Sequence, residues 1–220
     1  MDSIIFFLFA VAYLALIVFL WKQHTKFRLS SVLLLVLFAL VYDNFIISIG
    51  LILGEGDFLE SLNFLRFWLH ALCTPLLIIF SMAILREAGV PWATSKITTI
   101  VSVLLFLSAV SIEFITELKS LNIAPKLEYG ALSYSSVATS SGPPLMILVV
   151  LVALLIAAVT LFKRLKWWWM LVGVVVMTIG SAIPMNVPSN AITNLFELFL
   201  LFTLVLTKKR FSTNRRKYLH

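Results

Sequence analysis

The sequence predicts an all-α integral membrane protein: a bundle of seven transmembrane helices with the N-terminus outside the cell and the C-terminus in the cytoplasm. Three observations support this fold class. Hydrophobic residues make up 61% of the chain and charged residues only 12%, whereas soluble domains have roughly one half and one quarter. Seven apolar stretches approach the length of about 20 residues that a helix needs to cross a bilayer. The basic residues also gather on one side of these stretches.

The seven predicted spans are continuous apolar runs separated by polar connections. They cover residues 3–21, 29–53, 64–86, 97–117, 144–162, 167–185 and 190–207. A chain of 220 residues has no room for a second, water-soluble domain beside seven spans. We therefore expect a single membrane domain over residues 1–207, followed by a basic cytoplasmic tail over residues 208–220.

The distribution of basic residues predicts the orientation. One side of the predicted spans holds 14 of the 17 Lys and Arg residues: Lys22, Lys26, Arg28, Arg86, Lys96, Lys163, Arg164, Lys166, Lys208, Lys209, Arg210, Arg215, Arg216 and Lys217. Cytoplasmic loops carry such an excess of positive charge. Trp21, Trp92 and the three tryptophans at 167–169 lie at the same ends, where indole rings anchor at headgroup level. We expect the protein in the plasma membrane.

The basic tail and the single cysteine narrow the possible partners. A positively charged segment beside a membrane span attracts anionic lipid, so membrane lipids are the expected partners of residues 208–220. A nucleic-acid partner is not expected despite the net charge of +7, because no folded soluble domain presents these charges. Cys73 is the only cysteine, so an intrachain disulfide is excluded. The sequence does not indicate an oligomeric state.

The external connection over residues 118–143 is much longer than the others and rich in serine. A connection of this length is commonly either functional, such as a lid over a site, or passive. Its apolar residues Tyr129, Leu132, Tyr134 and Val137 are suited to packing on the outer face of the bundle. The sequence leaves both alternatives open.

Ionisable residues recur at one depth within the predicted spans. With a rise of about 1.5 Å per residue, Asp43 lies roughly 15 Å from the outer end of its helix, and Glu197 and His70 lie roughly 10 Å from the outer ends of theirs. Glu113 is shallower, and Arg66 lies at the rim. A charge in hydrocarbon costs a few kcal/mol or more, so such residues usually face a cavity and pair with one another. We therefore expect a polar cavity in the outer half of the membrane.

Helical spacing extends this set to polar neighbours. Arg66, His70 and Thr74 lie four residues apart and form one stripe, and Asn194 shares a face with Glu197. Asp43 and Asn44 are adjacent, so one of them is expected to face a neighbouring helix. The predicted residues for binding a substrate or ion are Asp43, Asn44, Arg66, His70, Thr74, Glu113, Asn194 and Glu197.

Three functions are compatible with this pattern. The first is binding or transport of a small polar solute, a cation or proton, or a lipid headgroup, with Asp43 and Glu197 accepting a proton or cation. The second is an intramembrane enzyme that modifies or hydrolyses lipid, with Asp43, His70, Glu113 and Glu197 in acid–base or metal-assisted chemistry. The third is a structural or assembly subunit whose polar groups only join helices.

Two known chemistries of membrane proteins do not fit the sequence. A retinal-binding protein needs a lysine in the middle of its last span, and none occurs there before Lys208. Zinc-dependent membrane hydrolases carry several histidines, whereas only His70 of the three lies within a span. One histidine with carboxylates is a poor ligand set for zinc. No metal or other cofactor is therefore assigned.

Overall fold

The computed structural model describes residues 2–22, 28–137, 145–182 and 191–214. Its helices are long because runs of apolar residues without interior prolines favour uninterrupted helix. The helices and strands, in chain order, are α1 Asp2–Lys22, α2 Leu33–Leu53, α3 Asp57–Cys73, α4 Leu76–Glu87, α5 Lys96–Glu113, β1 Ile123–Glu128, β2 Ala131–Ser136, α6 Leu145–Leu165, α7 Trp169–Ala182 and α8 Ala191–Asn214. Short turns of 3₁₀ helix (Leu29–Val32, Pro91–Thr94) and π helix (Phe114–Leu118) complete them.

Six helical segments in the described ranges are long and apolar enough to cross a membrane, as expected for a helical membrane protein. They are Asp2–Lys22, Leu29–Leu53, Asp57–Glu87, Lys96–Leu118, Leu145–Leu165 and Ala191–Ser212. The remaining predicted span, residues 167–185, corresponds to a shorter apolar helix, Trp169–Gly180. Parts of the predicted segments lie outside the described residues: Lys26, residues 138–143 of the external connection, residue 144, residues 183–185, residue 190 and residues 215–220 of the tail.

The third span begins earlier and the last helix ends later than the sequence predicts. The segment over 57–87 starts seven residues before the predicted boundary at 64, because Asp57 and Glu60 are tolerated in the first turn of a helix. At the other end, α8 continues through residues 208–214, which were expected in the tail. Lys208 belongs to this helix and is only 1% exposed.

Residues 123–136 of the external connection form an antiparallel hairpin, which the all-α prediction did not include. The two strands pair from Ile123 with Ser136 to Glu128 with Ala131. Tyr129 and Gly130, with φ of 47° and 78°, form the two-residue turn, as the twist of a tight hairpin requires. The fold is therefore helical with one small sheet. We call residues 123–136 the hairpin.

One face of β2 holds the hairpin against the helices. Leu132 and Tyr134 alternate along the strand and pack into a small buried cluster with Ile46 of α2 and Leu59 of α3. Tyr129 and Val137, the other two apolar residues of this region, are more than half exposed. Strand side chains alternate between two faces, so the same strand directs Ser133 and Ser135 to its opposite face.

The main core lies between the helices, where α1 packs against α2 and α8, α4 against α6, and α7 against α6 and α8. Its largest fully buried residues include Tyr13, Phe80, Leu154 and Met170. Pro75 interrupts the third segment, because it has no N–H to continue the helical hydrogen bonds. The helices α1, α2, α3 and α8 converge next to the hairpin.

Candidate functional site

A cavity of about 330 Å³ lies between the hairpin and the helices α1, α2, α3 and α8. Three of the predicted site residues line it: Asp43 of α2, Arg66 of α3 and Asn194 of α8. Polar groups of the hairpin and of the start of α1 complete its wall: Asp2, Glu128, Ser133, Ser135 and Ser136. The hairpin thus supplies a wall that the helices alone do not provide.

Asp43 and Arg66 form an ion pair in the cavity wall. Arg66 Nε donates to Asp43 Oδ1 at 2.8 Å, and the two side chains are 25% and 14% exposed, for Asp43 and Arg66 respectively. Arg66 Nη1 also donates to Asn63 Oδ1. Because the guanidinium bonds two partners inside the bundle, Arg66 is part of the interior polar network.

Asn63 connects this ion pair to the hairpin. The side chain is fully buried and its Nδ2 donates to the backbone oxygen of Leu59 at 2.7 Å. Its Oδ1 accepts from Arg66 and also from the backbone N–H of Tyr134 at 3.1 Å. The sequence did not identify Asn63 as a site residue, although its spacing of three residues from Arg66 on one helix was an available signal.

Further hydrogen bonds hold the hairpin at its turn and along β2. At the turn, the backbone N–H of Asp2 donates to the carbonyl oxygen of Tyr129 at 3.1 Å, and Ser3 Oγ donates to that of Gly130. Next to α3, Tyr134 Oη accepts from the backbone N–H of Gly56 at 3.1 Å.

Gly50 of α2 permits the hairpin to approach the helix closely. A Cβ atom at this position would lie 1.8 Å from the carbonyl oxygen of Leu132, well inside van der Waals contact. Only glycine fits this contact without movement of the strand. Gly50 is therefore the point at which β2 docks on α2.

Several ionisable groups lie near Asp43 without bonding to it. Asp43 interacts electrostatically with His70 and with Glu197, so residues from α2, α3 and α8 share this interior. Tyr13 of α1 interacts in the same way with Asp43 and Glu197, and its buried hydroxyl has no hydrogen-bond partner among the described residues. Sequence reasoning missed Tyr13, because a tyrosine in an apolar helix gives no distinct signal.

The remaining predicted residues lie apart from the cavity. Asn44 is buried and its Nδ2 donates to the carbonyl oxygen of Leu40 at 2.9 Å. Thr74 Oγ1 lies 3.4 Å from His70 Nδ1. Glu113 of α5 interacts electrostatically with Glu117, not with the set around Asp43.

The four residues considered for enzymatic chemistry are not assembled as a metal site. Within the described ranges, no group of three or more His, Cys, Asp or Glu side chains is placed to hold a metal ion. His70 and Glu197 are electrostatic neighbours of Asp43, but Glu113 lies with Glu117 at the end of α5. What the structure brings together is a paired, hydrogen-bonded cavity wall with further ionisable groups nearby.

No protein-family model matches this chain, and no curated protein or solved structure is significantly similar to it.

Proposed function

We propose that the protein binds a small polar solute without net charge in the cavity beneath the hairpin. The observation that supports this proposal is the cavity itself, whose volume of about 330 Å³ lies at the lower end of the range of small-molecule sites, roughly 300–1,000 Å³. Its wall offers hydrogen-bond donors and acceptors from four helices and from both strands of the hairpin. Such mixed polar walls orient a small ligand and give specificity.

The ion pairs of the wall favour a neutral or zwitterionic solute over a simple ion. Two of the three carboxylates in the wall form ion pairs, Asp43 with Arg66 and Glu128 with Lys126, the latter at 2.7 Å. An ion entering this site would have to compete with partners that are already in contact. A solute with hydroxyl groups, or with both charges, can instead hydrogen-bond to Arg66, Asn194 and the serines while the pairs persist.

Binding can be tested with purified protein in detergent by following Tm against a panel of probes. Glucose, glycerol and glycine represent neutral and zwitterionic solutes, and choline chloride and sodium acetate represent single charges. A ligand at 100 times its Kd stabilises the folded state by about 2.7 kcal/mol, which raises Tm by several degrees. A shift with charged probes alone would contradict the proposed preference, and no shift with any probe would count against the site.

A matched pair of variants locates the binding. Ser135→Phe places a bulky ring in the cavity wall, and Ser120→Phe makes the same change at an exposed turn on the same side of the protein. We expect the first variant to abolish the solute-dependent Tm shift and the second to retain it. Equal behaviour of the two variants would place the binding elsewhere.

For the topology, we propose seven crossings, with the hairpin outside the cell and the basic ends of the helices in the cytoplasm of a plasma membrane. The positive-inside distribution supports the orientation. The crossing that adds to the six long helices is made by α7. This helix leads from the basic side at Trp169 toward the hairpin side, where α8 then begins at Ala191. An odd number of crossings is needed to place the two ends of the chain on opposite sides.

The topology is testable because the chain has one cysteine. In a Cys73→Ala background, Lys126→Cys on the hairpin should react with a membrane-impermeant maleimide added to intact cells. Lys163→Cys, at the exposed basic end of α6, should react only after the cells are permeabilised. The reverse pattern would invert the topology, and labelling of both sites from one side would mean that α6 does not cross. The crossing by α7 is tested with Lys209→Cys at the exposed end of α8, which should also react only after permeabilisation. Reaction of Lys209→Cys in intact cells would remove that crossing.

Transport of the bound solute is a second candidate, and the ionisable groups near the cavity favour it. Inside the bundle, Asp43 interacts electrostatically with His70, Glu197 and Tyr13. A change in protonation of such a set alters which helix packing has lower free energy. In proteoliposomes, transport predicts solute uptake driven by a pH gradient and reduced in Glu197→Gln. Binding without uptake would indicate a protein that binds the solute but does not transport it.

A further inference from the structure

A second buried polar cluster lies at the basic ends of the helices, opposite the hairpin. Lys208 of α8 is 1% exposed, and its Nζ donates to Ser30 Oγ at 2.8 Å and to Ser31 Oγ at 3.1 Å. Both serines belong to the 3₁₀ turn that precedes α2, and both are buried. The cluster therefore joins the first third of the chain to its last helix.

Donors exceed acceptors in this cluster. The Lys208 ammonium has three N–H groups, of which the two serines accept two, and each serine hydroxyl has a proton of its own to donate. Arg28 Nη1 is buried and has no hydrogen-bond partner within the described residues. Arg28 and Lys208 are near enough to repel each other electrostatically. A group that supplies several acceptor oxygens would satisfy these donors.

The same cluster also carries an excess of positive charge. Glu87 is the carboxylate that interacts with Lys208, and its Oε2 already accepts from Ser212 Oγ at 2.8 Å. Among the residues that the structure describes, two cations thus face one carboxylate. Unpaired charge at a buried position costs several kcal/mol, so a bound anion would stabilise this arrangement.

From these observations we propose that Arg28, Lys208, Ser30 and Ser31 form a binding site for a phosphate oxyanion. Arginine and lysine beside hydroxyl groups are the donors that phosphate recognition uses, since the guanidinium can bond two oxygens at once. Lipid headgroups and free phosphate share this chemistry. Arg28, Glu87 and Ser212 are only partly buried, so the cluster reaches the protein surface at these residues. Lys209 and Arg210 are exposed beside it and add positive potential.

The test uses the full chain purified in detergent, with Tm and native mass spectrometry as readouts. One arm compares sodium phosphate with sodium chloride at equal ionic strength. The other arm compares mixed micelles that contain dioleoylphosphatidylglycerol with micelles that contain dioleoylphosphatidylcholine. Phosphate and phosphatidylglycerol should each raise Tm. A shift with the lipid alone assigns the site to a lipid headgroup, and a shift with phosphate alone assigns it to a soluble phosphate.

A matched pair of variants separates this site from general attraction to a basic surface. Arg28→Gln removes the guanidinium whose Nη1 has no partner in the described part of the chain, whereas Lys163→Gln removes an exposed charge on the same side of the protein. We expect at least tenfold weaker binding in Arg28→Gln and unchanged binding in Lys163→Gln. Ser30→Ala combined with Ser31→Ala provides a second test if Arg28→Gln does not fold.

Two results would overturn the proposal. One is a wild-type Tm that responds to neither phosphate nor phosphatidylglycerol. The other is equal loss of binding in Arg28→Gln and Lys163→Gln, which would reduce the effect to surface charge. Both results are independent of solute binding beneath the hairpin, because the two sites lie at opposite ends of the helices.

Discussion

Replacing Gly50 by alanine should separate the hairpin from α2. The new Cβ would lie 1.8 Å from the carbonyl oxygen of Leu132, whereas ordinary contacts begin at 3.4 Å. The strand must therefore retreat by about 1.6 Å, the difference between these distances. A retreat of that size stretches the 3.1 Å bonds that Tyr134 makes to Asn63 and Gly56 beyond hydrogen-bonding distance.

The expected energy of Gly50→Ala follows from the same contacts. Two lost hydrogen bonds destabilise the docked hairpin by about 1–3 kcal/mol, at about 0.5–1.5 kcal/mol each. Alanine in a helix interior is favoured over glycine by about 1 kcal/mol, which offsets part of this loss in global unfolding. Global Tm is therefore a weak test, and the local opening of the hairpin is a sharp one.

Hydrogen–deuterium exchange of β2 measures that local opening. A loss of about 1.4 kcal/mol corresponds to tenfold faster exchange, so protection of the Tyr134 amide should fall by roughly tenfold or more in Gly50→Ala. Gly173→Ala is the matched control, because its Cβ would meet Thr203 Oγ1 at 2.0 Å between α7 and α8, away from the hairpin. Unchanged protection of β2 in Gly50→Ala would refute the docking geometry.

Three further predictions concern the buried polar groups. Arg66→Met should lower stability by about 1–3 kcal/mol because it leaves Asp43 unpaired, and adding Asp43→Leu should restore most of the loss in a double-mutant cycle of thermal unfolding. Asn63→Ala should cost about 1–3 kcal/mol by the same measurement, since the buried N–H of Tyr134 loses its acceptor. Tyr13→Phe should raise Tm, because it removes a buried hydroxyl without a partner in the described part of the chain; a lower Tm would reveal a partner for that hydroxyl.

The grouping of Asp43 with Arg66 was predictable in part, because helical rise converts sequence position into distance along a helix. Asp43 and Arg66 were expected in the same half of the bilayer, and the structure places both in one cavity wall. Their pairing with each other was not predictable in the same way. It depends on which helices are neighbours and on how each is rotated, and both are set by packing of apolar surfaces that resemble one another in sequence.

The hairpin was harder to predict than the helices for a different reason. Its strands carry mainly serine, alanine and single apolar residues, a composition equally typical of an unstructured connection. The tight turn at Tyr129–Gly130 and the alternation of Leu132 with Tyr134 were the local signals. These signals predict a docked hairpin only together with Gly50 of α2, which leaves room for the strand. No pattern within the hairpin sequence indicates that glycine.

The buried position of Lys208 shows the same dependence on distant residues. Ser30 and Ser31 are 178 and 177 residues away in the chain, so a residue that begins a basic tail by sequence is recruited into the bundle by tertiary contacts. The side chain is buried, and its ammonium donates to the two serine hydroxyls. Counting charges along the sequence could not distinguish a solvated lysine from a buried one.

We expect binding of the proposed solute and docking of the hairpin to be thermodynamically coupled, because the hairpin forms part of the cavity wall. A solute that binds only the docked arrangement must stabilise docking by the same free energy with which docking favours binding, since such coupling is reciprocal. Gly50→Ala should therefore weaken solute binding although residue 50 lies outside the cavity lining. Conversely, saturating solute should slow exchange of the Tyr134 amide in the wild type. Coupling in one direction without the other would contradict a wall shared by the hairpin and the site.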